Sequence, residues 1–415
     1  MNILFVHQNM PGQYREMVQW LVAQGGHRIA FLTQRNPPPK IAGVETIQYR
    51  PKHKPAKDAW GLSKVWEEAT GTGFGAALAA RKHAEDTGFR PDIVIGHTGW
   101  GELLFFKEIW PDVPILGFFE YFYRTTGGTV GFDPEEPTSE HSPFLMRARN
   151  AVPYASIEVV DRGTVPTQWQ KDRFPESFHQ KLALCHDGIR TDLLRPDPKV
   201  TLPLGCLGRQ ATRGDEIFTY VARNMERTRG FHTFMRALPQ ILSARPQARA
   251  IIVGGSETSY GPATKTPGGL RAEMEREVGH LIDWDRVHFL GRVPYPDFKR
   301  VVQISRCHIY LTMPFVLSWS LLESMSMQAT IVASDVAPVR EVIGHGRNGL
   351  LVDFFDPDAL AAQVVAVLAT PGDYAGLGIA ARADVVENYD FLKVAMPFQA
   401  RLINDMAPGA APIAV

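Results

Sequence analysis

The chain has 415 residues, with Lys+Arg and Asp+Glu both 44, so its formal net charge is zero. No global field then favours nucleic acid, so no nucleic-acid partner is expected and recognition must come from local sites. The length calls for two or three domains at roughly 150 residues each.

Three far-spaced cysteines, Cys185, Cys206 and Cys307, show neither CxxC nor metal-ligand spacing, which points to a reducing compartment. The N-terminus MNILFVHQNMPGQ meets Gln8 too early for the apolar region of a signal peptide. No run reaches the roughly 18 apolar residues of a membrane span, so a soluble, cytoplasmic protein is expected.

In chain order, NILFVH (2–7) predicts a strand, PGQYREMVQWLVAQGG an apolar-faced helix ending in paired glycines, and HRIAFLT (27–33) a second strand, which makes a βαβ unit. RPKHKPAK (50–57), followed by Trp60, has two readings. It is a solvated loop, or a peripheral contact with an anionic membrane surface at the inner face. A long helical stretch from Trp60 leads to the strand DIVIGH (92–97), then a helix from about 101 and the strand PILGFFEY (114–121). Strands alternating with helices imply a parallel sheet, with ligands beyond the C-terminal strand ends.

The pattern breaks at DGIRTDLLRPDPKVTLPL (187–204), where the interdomain linker is expected. We therefore divide the chain into an N-terminal domain over 1–195 and a C-terminal domain over 196–390, with a helix at about 391–406 packing back on the first. The alternation resumes with strands at 216–223, 248–255, 287–291, 308–312 and 330–334 and at GLLVD, which predicts a second doubly wound domain. The tail APGAAPIAV is expected to fray.

Candidate functional residues fall at strand ends. His97 closes DIVIGH and opens HTGWGE, whose glycines permit close backbone approach. Glu120 in GFFEYFY is a carboxylate in an aromatic setting, a costly burial unless something pairs with it. In QNMPGQY, Gly12 permits phosphate approach or merely makes a turn. Arg223, Arg227 and Arg229 surround a turn into a helix, a grouping that suits a diphosphate or a solvated loop. No Walker loop, HExxH, GxSxG or Asp-x-Asp at a strand end is present, so no metal and no cofactor is expected.

The stretch PFVLSWSLLESMSMQ (314–328) holds one charge, Glu323. Ser320 and Glu323 fit the S-x-x-E capping pattern. Alternatively, the helix N-terminus binds an anion while the Glu holds a neighbouring hydroxyl.

Six pieces in register resemble the family 4 retaining glycosyltransferases of GT-B fold, over essentially the whole chain. They are PGQY with GGHRIAFLT, HTGW, CHDGIRTDLLRP, YVARNMERTRGF, FLGRVPYPDF and LLESMSMQATIVASDVAPVREVIGHGRNGLLVD. The resemblance implies an α/β protein of two doubly wound Rossmann-like domains facing across a cleft.

It also implies a nucleoside diphosphate sugar donor, a UDP-sugar favoured over a GDP-sugar. The acceptor is a glycan, lipid-linked or small molecule bound by the N-terminal domain, and transfer proceeds without a metal and with retention. Glu323 would meet the ribose hydroxyls, and Arg223 and Arg229 the diphosphate, with Arg227 as the rival of Arg229. The backbone around Ser318, Trp319 and Ser320 would meet the phosphates, Arg292 and Val293 would lie near the base, and Gly12 with Gln13 would form the glycine loop. His97 would belong to the acceptor side.

Two positions depart from the family pattern. Phe315 stands eight residues before Glu323, where the pattern has its first Glu, and Glu120 stands where it often has a His. An epimerase on the same fold, or a catalytically silent nucleotide-sugar-binding protein, are the alternatives, the latter motivated by Phe315.

Overall fold

The computed structural model describes residues 1–136, 138–204, 208–259 and 266–414; Cys206 lies outside them. The chain divides into two compact units, one formed by Met1–Val130, Pro137–Gly188 and Phe391–Val415, the other by Gly131–Glu136 and Ile189–Asp390. Sequence reasoning set the division at 195/196, whereas the chain passes from unit 1 to unit 2 at 188/189, inside the motif CHDGIRTD.

Among the described residues, unit 1 carries β1 (Asn2–Val6), β2 (Arg28–Thr33), β3 (Val44–Gln48), β4 (Ile93–His97), β5 (Ile115–Phe118), β6 (Arg162–Val165) and β7 (Leu182–Leu184). They form one all-parallel sheet in the order β3-β2-β1-β4-β5-β6-β7. The order reverses at β1/β4, the place where doubly wound sheets open a crevice for ligands.

Unit 2 begins with a small antiparallel pair, β8 (Thr201–Leu204) and β9 (Arg209–Thr212). Its main sheet is built from β10 (Ile217–Asn224), β11 (Arg249–Gly255), β12 (Val287–Gly291), β13 (Cys307–Tyr310), β14 (Ile331–Ser334) and β15 (Leu350–Val352). These are again all parallel, in the order β12-β11-β10-β13-β14-β15, which puts the reversal at β10/β13.

The inner strands of the two parallel sheets, such as β1 and β10, are apolar without alternation because both faces are covered. In β1, Ile3 and Phe5 enter one buried cluster while Leu4 and Val6 enter another. In β10, Phe218 and Tyr220 enter one cluster and Ile217 a different one. Each such fully buried side chain contributes roughly 1.5–3 kcal/mol.

Three local expectations are corrected. The helix expected from about 101 is a series of turns through residue 109. The strand β3 is present although VETIQ is too polar to signal it; only Ile47 among its residues is buried. The tail does not fray: Ile413 is 2% exposed, its N–H donates to Asn404 Oδ1 at 2.8 Å, and its carbonyl accepts from Asn404 Nδ2 at 3.0 Å. The helix Met396–Met406 that carries Asn404 packs Met396 and Ile403 into the same cluster as β1.

Among the described residues no single helix is long and apolar enough to cross a membrane.

Candidate active site

The C-terminal strand ends of unit 2 gather most of the candidate residues. After β10 the chain makes a 3-10 turn, Arg227–Arg229, ending at Gly230, whose φ of 64° is left-handed. A Cβ at Gly230 would also strike the Leu311 side chain, so glycine is required twice over. The turn is pinned by Tyr220 Oη donating to the Arg229 carbonyl at 2.7 Å and by the Met313 N–H donating to the Thr228 carbonyl at 3.0 Å.

Arg229 Nη1 then donates to Thr312 Oγ1 at 2.7 Å, and the guanidinium also hydrogen-bonds Tyr310. Tyr310 Oη accepts the N–H of Ser318 at 3.1 Å. Arg229 is thus tied, through Tyr310, to the loop that starts the helix Trp319–Ser326.

That helix is capped by Ser318 rather than Ser320. Ser318 Oγ accepts the N–H of Ser320 at 3.3 Å, and the two hydroxyls lie 2.8 Å apart. The S-x-x-E box predicted for Ser320 and Glu323 is therefore not the cap, because Ser320 is already the second helical residue. The first-turn N–H groups and the positive end of the helix dipole lie where the loop from β13 ends. Glu323, half-buried one turn on, accepts a hydrogen bond from Tyr295 Oη at 2.6 Å. Trp319 is exposed and Phe315 half-buried in the approach to the helix.

Arg223 is exposed at the end of β10, beside an irregularity in its pairing with β11. Arg227, the rival of Arg229, points elsewhere. Its Nη1 pairs with Glu135 at 2.8 Å and its Nη2 with Glu273 at 2.7 Å. Arg292, just past β12, donates from Nη2 to Asn224 Oδ1 at 3.0 Å and Glu257 Oε2 at 2.6 Å. Val293 packs partly into two apolar clusters.

Gly12 and Gln13 lie in unit 1. There the ends of β1, β4 and β5 bring together His7, His97 and Glu120. The His97 ring stacks on Trp100 with centroids 4.0 Å apart, and His7 stands edge-on to both. Gly12 has φ 54°, and a Cβ there would lie 2.7 Å from His7 Nε2, so only glycine lets the turn cover that ring.

His97 Nδ1 accepts the N–H of Gly99 at 2.9 Å, so the neutral ring carries its proton on Nε2, which faces Glu120 Oε2 at 3.5 Å. Burial, with His97 as a second cause, pushes His7 down to about 3. Glu120 is not the buried acid expected from its aromatic neighbours: its side chain is 42% exposed. Gln13 instead lines a small cavity of about 20 Å³ with Tyr14, Cys185 and Asp187.

Sequence reasoning missed His7, Trp100, Tyr295, Tyr310 and Thr312. His7 and Thr312 close predicted strands as His97 does, so the strand-end rule was available for them. Tyr295 carried no signal, because its partner lies 28 residues on. Among the described residues no group of three or more His, Cys, Asp or Glu is placed to hold a metal ion.

Comparison with known proteins converges on one family. A model described as Glycosyl transferase family 4 group matches residues 25–194, and one described as Glycosyl transferases group 1 matches 215–370. The chain is 28% identical over 177 residues to a phosphatidyl-myo-inositol mannosyltransferase of Mycolicibacterium smegmatis, covering 41% of each protein. It is 24% identical over 240 residues to a GDP-mannose-dependent alpha-(1-6)-phosphatidylinositol monomannoside mannosyltransferase of the same organism, covering 55% of this chain and 58% of that one. The chain thus spans about half the length of these curated relatives.

Two solved structures share the fold nearly end to end. Sucrose-phosphate synthase from Thermosynechococcus elongatus superposes with a TM-score of 0.72 at 18% identity, covering 99% of this chain and 100% of that one. HepE of Anabaena, solved in complex with UDP-glucose, gives 0.66 at 15% identity, covering 97% and 99%. With both family models matched in chain order and two doubly wound sheets in place, the chain belongs to the family 4 group of glycosyl transferases and has the GT-B fold.

Proposed function

We propose that this protein is a glycosyltransferase that moves a hexosyl unit from a nucleoside diphosphate sugar, a UDP-sugar before a GDP-sugar, to an acceptor hydroxyl with retention at the anomeric carbon. The observation that carries the reading is Arg229, held by Thr312 and by Tyr310, whose hydroxyl accepts the N–H of Ser318, the residue that caps the helix Trp319–Ser326. When the bond from the anomeric carbon to the diphosphate oxygen breaks, negative charge grows on the leaving group. A guanidinium and a helix N-terminus stabilise that charge more in the transition state than in the ground state. The acceptor oxygen forms the new bond on the same face, and its proton passes to the leaving phosphate oxygen, so no protein nucleophile and no metal is required.

Glu323, one helical turn further on, takes the ribose hydroxyls, and Arg223, exposed at the end of β10, joins Arg229 on the diphosphate. In unit 1, Glu120 and His97 orient the acceptor hydroxyl; the alternative is that Glu120, instead of the phosphate oxygen, takes the acceptor proton as base. The solved complexes of HepE with UDP and with UDP-glucose support a uridine donor, and the GDP-mannose named for one relative keeps guanosine as the second choice. Lipid-linked acceptors are supported by the phosphatidylinositol named for two relatives. The exposed Lys52, Lys54 and Lys57 beside a Trp60 that is 71% exposed favour a peripheral membrane contact for reaching them.

The test is a thermal-shift screen of UDP, GDP, ADP and their sugars, followed by kinetics of Arg223→Ala with the donor that stabilises most. The folded variant is expected to lose transfer. Unchanged turnover would remove Arg223 from the site, and stabilisation by none of these nucleotides would remove the donor class.

A further inference from the structure

One contact in unit 2 joins two segments that sequence reasoning treated separately. Tyr295, the first residue of the helix Tyr295–Ile304, donates its hydroxyl to Glu323 Oε1 at 2.6 Å. A bond of that length from a phenol to a carboxylate is of the charge-assisted kind, shorter and stronger than a neutral hydrogen bond.

The phenol is itself placed by packing. Its ring lies 5.7 Å from that of Phe298, at 33° between planes. Phe298 is buried in one cluster with Leu321 and Leu322, the residues immediately before Glu323. The two helices are thus locked through an apolar seam beneath, with the hydroxyl-to-carboxylate bond at its edge. Tyr295 is 41% exposed, so the bond is open to a ligand approaching from solvent.

We propose that Tyr295 is a positioning residue for nucleotide recognition: its hydroxyl fixes the rotation of the Glu323 carboxylate so that it meets the cis-diol of a ribose. This inference rests on the reading of Glu323 as the ribose-contacting acid. A glutamate has three side-chain torsions to immobilise, and each is a cost charged to binding unless the free protein has already restricted it. Tyr295 restricts the last of them before the ligand arrives. Specificity for ribose over 2′-deoxyribose then depends on a residue that touches no part of the sugar.

Titration calorimetry with UDP and 2′-deoxy-UDP, repeated with GDP and 2′-deoxy-GDP, tests this on wild type and on Tyr295→Phe, which keeps the ring on Phe298 and removes only the hydroxyl. Wild type should prefer the ribonucleotide by about tenfold, the size of a hydrogen bond to a charged group. Tyr295→Phe should weaken ribonucleotide binding by about fivefold and deoxynucleotide binding by less than about twofold, so that the preference collapses. In a Glu323→Ala background, which leaves the hydroxyl nothing to donate to at that position, the same substitution should change nothing further.

An equal loss for ribo- and deoxynucleotides would mean that Tyr295 merely supports the fold, and an undiminished ribose preference would mean that Glu323 needs no help. Either result overturns the inference while leaving the donor site standing. Failure of wild type to bind any of the four nucleotides overturns the donor-site reading itself.

Discussion

Arg227 and Arg229 are two residues apart in sequence and differ in what holds them. Arg229 reaches Thr312 and Tyr310 at the mouth of a helix, whereas Arg227 is spent on Glu135 and Glu273. Their substitutions should therefore separate. Arg229→Ala is expected to lower kcat by about 100-fold to 1,000-fold, the usual loss when one donor to a developing anion is removed, with the melting temperature little changed. Arg227→Ala should leave kcat within an order of magnitude and lower stability instead, since Glu135 and Glu273 lose a shared cation. Steady-state kinetics beside thermal melts of both variants would distinguish the roles, and equal losses of kcat would contradict the assignment.

The same scale shows what sequence conveys. Arg223, Arg229, Glu323 and the serines of the 318–320 turn were put forward on local signals, strand ends and S-x-x-E spacing, and on the family resemblance, and the structure links two of them, Arg229 and Ser318, through Tyr310. The true cap was two residues away, since Ser318 and Ser320 are chemically equivalent and only the backbone of Ser318, extended at φ −76° and ψ 140°, separates them. The partners of Arg227 were illegible, because Glu135 is 92 residues distant.

At the scale of elements, the least expected piece is the segment Gly131–Glu136, which belongs to unit 2 although the residues on either side belong to unit 1. Phe132 lies 5.1 Å from the rings of both Phe354 and Phe355. Glu135 bridges Arg236 and Arg227, and those guanidinium groups, Arg236 first, hold its carboxyl down at about 2. Asp133, buried beside them, faces His232 at 3.5 Å.

The apolar contact outweighs the exposed ion pairs, because a surface pair gains little after screening and side-chain ordering. Phe132→Ala should accordingly destabilise unit 2 by about 2 kcal/mol and Glu135→Ala by less than about 1 kcal/mol, as read from urea unfolding. The reverse ranking would show that charge, not packing, seats the segment. No periodicity announces such a segment, which is why sequence reasoning found the six strands of the main unit 2 sheet and β1, β2, β4 and β5 of unit 1, yet missed the strap along with β3, β6 and β7. Strands of five apolar residues identify themselves, whereas six residues with one anchoring ring do not.

Across the whole molecule, buried imidazoles set the acid limit of stability. Burial is the leading cause holding His186, His232 and His308 down at about 4 and His7 at about 3, against an ordinary value of 6.5. Between pH 6.5 and about 4 the unfolded chain binds protons that the folded chain refuses, so stability rises with pH in that window. The contribution is complete above pH 6.5 and is lost as pH falls below it, at most about 1.4 kcal/mol per pH unit for each ring that stays neutral. Urea midpoints measured at pH 7.5, 6 and 5 should fall in both steps, more steeply per pH unit in the second. A flat profile would mean that these rings protonate in place.

The strap and the Phe391–Val415 segment together impose an order on biosynthesis. The chain changes unit at 130/131, 136/137, 188/189 and 390/391. The final piece of unit 1 includes Met396, Ile403 and Ile413, all buried against strands made hundreds of residues earlier. As the polypeptide leaves the ribosome, the first-made half waits with part of its core uncovered until residues 391–415 have emerged. Unit 2, whose strap has been in hand since residue 136, has all its pieces by Asp390. The unit begun first is the unit finished last, and the interval between the two is when the nascent chain most needs shelter from aggregation.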